Sequence, residues 1–241
     1  MPWRSPAGQP AWARPALLAV AVVAAVGYGW GMAGASVESF YGAAARSMSE
    51  SWHDFIFGAF DPAGTVTVGK LPGELWVQAL SLRIFGFHIW ALVLPQVVEG
   101  VLTVLVLYRA VRRLAGPAAG LTAAAVLAVT PVTVLLGRGN VSDSLLILLL
   151  VLAADATSAA LLSGSLRQLL LAGVWVGLAF QAKMVQAWLV LPALGAAYLL
   201  AAPAARLPQR PKHLPHDAAV GTGAEFIASI KAPARRARSS Q

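Results

Sequence analysis

Residues 88–108 read HIWALVLPQVVEGVLTVLVLY, and Glu99 is the only formally charged side chain in the run. At about 1.5 Å of rise per residue, that length as a helix crosses the roughly 30 Å hydrocarbon layer of a bilayer. A lone segment has no alternative there, because only a helix pairs all its own backbone N–H and C=O groups away from water. The stretch is expected to be a membrane span, and its neighbours repeat it. Residues 16–35, 118–136, 145–162, 168–182 and 184–202 are comparably apolar, so six spans are expected.

The whole composition agrees. Of 241 residues 58% are hydrophobic and 12% charged, with a mean hydropathy of +0.70, whereas roughly 25% of an ordinary soluble domain is charged. The composition argues against a soluble globule, and the expected fold is all-α: a polytopic transmembrane helical bundle. The first run follows Arg4 and Arg14. It is longer than the apolar core of a signal peptide and is followed by similar runs, so it reads as an uncleaved helix. The last two runs are separated only by Lys183, and read either as one long hairpin or as two helices meeting near a membrane surface. The absence of cysteine excludes disulfides, cysteine-held zinc and thiol chemistry. A net charge of +8 would suggest nucleic acid in a soluble protein. Here the basic residues sit between spans and at the ends, and no nucleic-acid partner is expected.

With the N-terminus in the cytoplasm, Arg4, Arg14, Arg109, Arg112, Arg113, Arg167 and the seven basic residues after Pro203 fall inside. Arg46, Lys70, Arg83, Arg138 and Lys183 remain outside, five of 18. This asymmetry satisfies the positive-inside rule and places the loop 36–87 on the extracytoplasmic side of the plasma membrane. The resulting division is a cytoplasmic N-terminus (1–15), a transmembrane domain (16–202) and a basic, proline-rich tail (203–241) expected to be disordered.

The loop is no plain linker. Glu38, Glu50, Asp54, Asp61 and Glu74 are half of the ten acidic residues of the chain, and they alternate with Trp52, Phe55, Phe57, Phe60 and Trp76. Aromatics at this density suit the headgroup layer. Two interfacial helices are expected, about 40–57 and 73–85, with a turn at 60–64 and a short extended stretch at 65–68. Across the third span, the segment 136–143 reads LGRGNVSD.

Each charged residue here has a structural reading beside a functional one. Asp143, at the start of the fourth span, fits a helix cap. Asp61 before Pro62 fits a turn, Glu38 a solvated boundary charge, Arg138 and Lys70 lipid-phosphate anchors, and Lys183 a topological stop. His53 beside Asp54 is a weak metal pair, since adjacent helical residues do not share a face. Glu99 and Asp155 inside spans are either buried polar contacts or parts of a permeation path, and the latter would suit a transporter.

Taken in order, the segments 39–45 (SFYGAAA), 51–64 (SWHDFIFGAFDPAG), 66–72 (VTVGKLP) and 75–81 (LWVQALS) resemble the first outer loop of bacterial GT-C membrane glycosyltransferases. The nearest type is the actinobacterial branch of the protein-mannosyltransferase and aminoarabinose-transferase group. Arg138, Asn140 and Asp143 resemble its second outer-loop motif, and Gly177-Leu178-Ala179-Phe180 with Lys183 a later glycine-lysine motif. The resemblance covers residues 16–202.

It implies an extracytoplasmic active site that takes a sugar from a polyprenyl-phosphate carrier held by membrane lipids. By position it implies Asp61, Glu38 and Asp143 as the carboxylates, with Asp143 orienting groups or holding a divalent cation. It likewise implies Lys70, Arg138 and Lys183 as phosphate contacts, with Asn140 and Tyr41 completing the site. No other cofactor is implied, and sugar and acceptor stay open. Two positions depart from the usual valine-aspartate-lysine-proline-proline: Gly69 lacks the carboxylate and Leu71 the first proline. With an ending near Pro203, a poor enzyme is expected, or a non-catalytic relative serving in membrane binding or assembly.

Overall fold

The computed structural model describes residue 5 and residues 8–205, with side chains described up to residue 200. From residue 206 onward the expected tail lies outside the described residues. The helices are α1 (Ala13–Gly29), α2 (Ser39–Glu50), α3 (Trp52–Phe57), α4 (Gly73–Phe85), α5 (Ile89–Val129), α6 (Pro131–Gly137), α7 (Asp143–Ser163), α8 (Leu166–Lys183) and α9 (Leu191–Ala205). Tight 3-10 turns occupy Met32–Gly34 and Met184–Val190. Among the described residues, extended pairing is limited to one antiparallel bridge between Ala59 and Thr67, at the stretch expected to be extended. The chain is an all-α, multi-pass membrane protein.

Among the described residues, four continuous segments are long and apolar enough to cross a membrane: Ala13–Gly34, Ile89–Val129, Asp143–Ser163 and Leu166–Leu200. The second has 41 residues and the fourth 35, each more than one crossing requires. In α5 the chain turns back at Gly116, whose φ of 86° and ψ of 174° lie outside any helical region. A Cβ on Gly120 would lie 2.9 Å from the Tyr108 carbonyl oxygen, although twelve residues of straight helix span about 18 Å. Residues 117–129 therefore pack along 89–115. The fourth segment turns back in the same way. Leu169, Ala172 and Val176 of α8 share one cavity wall with Leu191, Leu194 and Tyr198 of α9, and the link is the 3-10 turn after Lys183. Each of the six expected apolar runs is helical over most of its length, within these four segments and the short α6 that follows the second.

The expected interfacial helix at 40–57 is two helices. Ser51 is extended between them (φ −134°, ψ 156°), and its hydroxyl oxygen accepts from the Asp54 N–H at 3.0 Å, capping α3. The expected helix at 73–85 coincides with α4. Its Leu75, Ala79 and Leu82 are buried in a cluster with Ala44, Ala45, Met48 and Leu92, which fixes α4 between α2 and the start of α5. At its N-terminus α4 meets α8: a Cβ on Gly73 would lie 2.6 Å from the Gln181 carbonyl oxygen, so only glycine allows this approach.

The other end of the bundle is tied by charge. Buried Asp155 on α7 pairs with Arg109 at 2.6 Å and Arg113 at 2.7 Å on α5. Asp155 is thus a structural contact between two spans, and both its oxygens are taken up by that contact rather than offered to a permeation path.

Candidate active site

The helix ends opposite the Asp155 ion pairs collect most of the residues singled out by the sequence. Asn140 is 1% exposed. Its side-chain oxygen accepts from the Glu38 N–H at 2.6 Å, and its amide donates to the Glu38 carbonyl at 3.0 Å. This two-way clamp holds the start of α2 against the 138–142 loop. Glu38 itself is the residue before α2, and its exposed side chain extends from a fixed backbone.

One helical turn on, the Tyr41 ring lies under the Lys70 ammonium at 3.8 Å, a cation–π contact. Lys70 Nζ also donates to Ser142 Oγ at 3.0 Å. The next residue, Asp143, opens α7 and accepts from Lys183 Nζ at 2.5 Å. Leu146 and Leu149 of α7 pack on Ala179 and Ala182 of α8, which brings Lys183 to Asp143, and Met184, at a positive φ of 49°, turns the chain away behind it. Tyr41, Lys70, Asp143 and Lys183 are all half-buried. They form one charged patch where helices from distant parts of the sequence meet.

Two sequence-named residues stand apart. Asp61 spends both carboxylate oxygens on its own loop: Oδ1 accepts from the Val66 N–H at 2.7 Å, and Oδ2 from the Thr65 hydroxyl at 2.9 Å and the Thr65 N–H at 3.3 Å. These bonds, with Val66 foremost, hold its carboxyl below the usual range. Asp61 shares a recess with Ala43, Arg46, Ser47 and Glu50. At 3.6 residues per turn, Ala43 lies on the far side of α2 from Tyr41. Arg138 is turned toward α1: its Nε donates to the Gly27 carbonyl at 2.9 Å, and it lines a cavity of ≈ 480 Å³ with Trp30, Met32 and Leu135.

Beneath the patch lies a layer to which the sequence motifs assign no role. Glu74, on the first turn of α4, is 2% exposed, and its Oε1 accepts from Gln78 at 2.7 Å and from Gln96 at 3.1 Å. Burial pushes its carboxyl up to about 7, partly opposed by those two amides and by Lys70. A readable signal exists. Glu74, Gln78 and Ser81 recur at helical spacing on α4, as Gln96, Glu99 and Thr103 do on α5, and all six are buried. The apolar stripe of α4 is its expected contact face, whereas the neighbouring polar stripe is buried as well. Among the described residues no three His, Cys, Asp or Glu side chains form a metal-binding group. His53 lies 3.3 Å from Asp54 alone.

The fold defines a multi-pass helical membrane protein with two lysines, a paired carboxylate and a free one gathered at one end of its spans. Comparison with known proteins gives the family. The family described as dolichyl-phosphate-mannose-protein mannosyltransferase matches residues 70–222, running past the residue 202 at which the resemblance was expected to end. The chain belongs to this family of membrane glycosyltransferases.

Two Bacillus subtilis proteins are similar to it. One, named "Putative mannosyltransferase YycA", is 43% identical over 166 residues, which cover 69% of this chain and 24% of that protein. The other, named "Putative mannosyltransferase YkcB", is 41% identical over 167 residues, covering 69% of this chain and 23% of that protein. The chain thus spans about a quarter of the length of these relatives. No solved structure matches.

Proposed function

We propose that the protein transfers a sugar from a polyprenyl-phosphate carrier to an extracytoplasmic acceptor, at the patch formed by Tyr41, Lys70, Asp143 and Lys183. The N-terminus lies in the cytoplasm and the membrane is the plasma membrane. The observation that carries the reading is the convergence of Lys70 and Lys183 beside Asp143, at one end of the spans, in a member of a mannosyltransferase family. A carrier lipid keeps its tail in the bilayer and presents its phosphate at this level. The two ammonium groups stabilise the negative charge that grows on the phosphate oxygen as its bond to the anomeric carbon breaks. The acceptor hydroxyl attacks that carbon, and its proton passes to a carboxylate. Glu38 is the exposed carboxylate free of the patch's own ion pair, and Asp143 orients Lys183.

The test is transfer of radiolabelled mannose from polyprenyl-phosphate mannose in membranes containing the full chain, at matched protein levels. Lys70→Met and Lys183→Met are each expected to lower the rate by about 100-fold. Transfer unaffected by both substitutions would remove the patch from the reaction. Absence of any transfer by the unmodified chain favours the non-catalytic membrane role suggested by the departures at Gly69 and Leu71.

A further inference from the structure

Four side chains under the charged patch carry an imbalance that the transfer reaction does not explain. Glu74 is 2% exposed, Gln78 and Gln96 0%, and Glu99 5%. Each has an oxygen without a hydrogen-bond partner: Glu74 Oε2, Gln78 Oε1, Gln96 Oε1 and Glu99 Oε2. With both carboxyls ionised all four atoms are acceptors, so they cannot satisfy one another. Such groups are rarely left bare in a protein interior.

The amide orientations are not free to correct this. Both carboxamide N–H groups converge on the same Glu74 Oε1, and turning either amide over would strip that carboxylate of a donor. The carbonyl oxygens are thereby committed to acceptor positions beside it. Glu99 follows Gln96 on α5 by three residues, on the same face, and lies close enough to Glu74 for the two carboxyls to act on one another electrostatically. The cationic side chains at this end of the spans are already engaged. Lys70 is held by Ser142 and the Tyr41 ring, Lys183 by Asp143, and Arg138 by the Gly27 carbonyl.

We propose that Glu74, Gln78, Gln96 and Glu99 form a buried binding site for a hard divalent cation, Ca2+ by its donor set, between α4 and α5. The ligands are all oxygen, two carboxylates and two carboxamides. This set suits a hard cation and offers none of the nitrogen or sulfur that zinc and copper sites favour. Two carboxylates match a charge of two, which leaves the site neutral in a medium where net charge is costly. Ca2+ accepts carboxamide oxygens in flexible geometry, while Mg2+ gives up its water reluctantly and is poorly served by side chains buried away from water. The site underlies the patch directly, since Gln78 Nε2 reaches to 3.5 Å from the Asn140 carbonyl and Asn140 clamps Glu38. A bound ion acts by holding α4, α5 and the 138–142 loop in place. It does not meet the sugar.

The test uses the purified full chain in detergent micelles, stripped with chelator, at pH 7.5 and constant ionic strength. Radioactive Ca2+ binding at equilibrium and the melting temperature by tryptophan fluorescence are measured during titration with CaCl2, MgCl2 or NaCl. One saturable Ca2+ site per chain is expected, with melting raised by several degrees at about 100 times the Kd. Glu74→Gln and Glu99→Gln should each weaken Ca2+ binding by about 100-fold or more, judged against the 10–100-fold scale of outer-shell changes, while the surface variant Glu50→Gln binds as the native chain does. Binding unchanged in both buried variants overturns the site, and saturation by Na+ or Mg2+ in place of Ca2+ overturns the assignment to calcium. A native chain that binds no cation, with Glu74→Gln and Glu99→Gln melting at or above it, shows instead that protons neutralise the two carboxyls. None of these readouts depends on sugar transfer.

Discussion

At the scale of single residues, burial decides what a carboxylate does. Glu74 is held at about 7, from an ordinary value of 4.5, because its charged form is deprived of water. In chelator, the folded chain keeps between those values a proton that the unfolded chain releases, so stability falls as pH rises through this window. At roughly 1.4 kcal/mol for each pH unit crossed, the loss is on the order of 3 kcal/mol. Melting temperatures across this pH window should decline for the native chain and be flatter for Glu74→Gln; parallel curves for the two would place the proton elsewhere. Asp61 and Asp143 should separate just as clearly. Asparagine at 61 keeps an oxygen for the turn, so sugar transfer by Asp61→Asn should stay within about tenfold of native, whereas Asp143→Asn loses its charge pairing with Lys183 and should fall by about 100-fold. Equal losses in the two variants would restore Asp61 to the reacting group.

At the scale of elements, the bundle depends on a few places where chain direction or spacing leaves no choice. Gly116 turns α5 back at φ 86° and ψ 174°, a region nearly closed to residues with a Cβ, so Gly116→Val should cost about 1–3 kcal/mol in thermal unfolding. Gly73→Ala acts differently, because its Cβ would meet the Gln181 backbone at 2.6 Å and α8 must shift two residues before Lys183. Transfer activity is expected to drop in Gly73→Ala while the amount of folded protein changes little; full activity would mean that α8 moves without carrying Lys183 from Asp143. Asn140→Ala leaves the Glu38 N–H without its partner, while the Glu38 carbonyl keeps the Gly42 N–H at 2.9 Å, and should cost about 1–3 kcal/mol by melting. Helix boundaries are legible to the extent that their causes are local. Residues 73–85 read as one helix because the apolar period runs through to Gly86. The break at Ser51 interrupts a stretch whose composition reads as continuous helix, although Ser51 and Asp54 stand at the spacing of a cap followed by an acid.

At the scale of the whole molecule, the chain contains no cysteine, so single introduced cysteines report topology cleanly. Ser51→Cys and Gly139→Cys should react with an impermeant maleimide in intact cells, and Gly164→Cys only after permeabilisation; the reverse pattern would put the charged patch in the cytoplasm. All-helical architecture and the apolar runs followed from sequence alone, because a bilayer demands internally paired backbone over a fixed length and so writes its constraint as composition. The charged candidates were legible in the same way, as costly residues at span ends. What only the tertiary structure decided was their company. Tyr41, Lys70, Asp143 and Lys183 meet, Asp61 and Arg138 do not, and a second layer of polar residues lies buried below. The reason is physical: helix spacing fixes which side chains share a face, whereas the partner of that face depends on crossings set by packing between helices far apart in the chain.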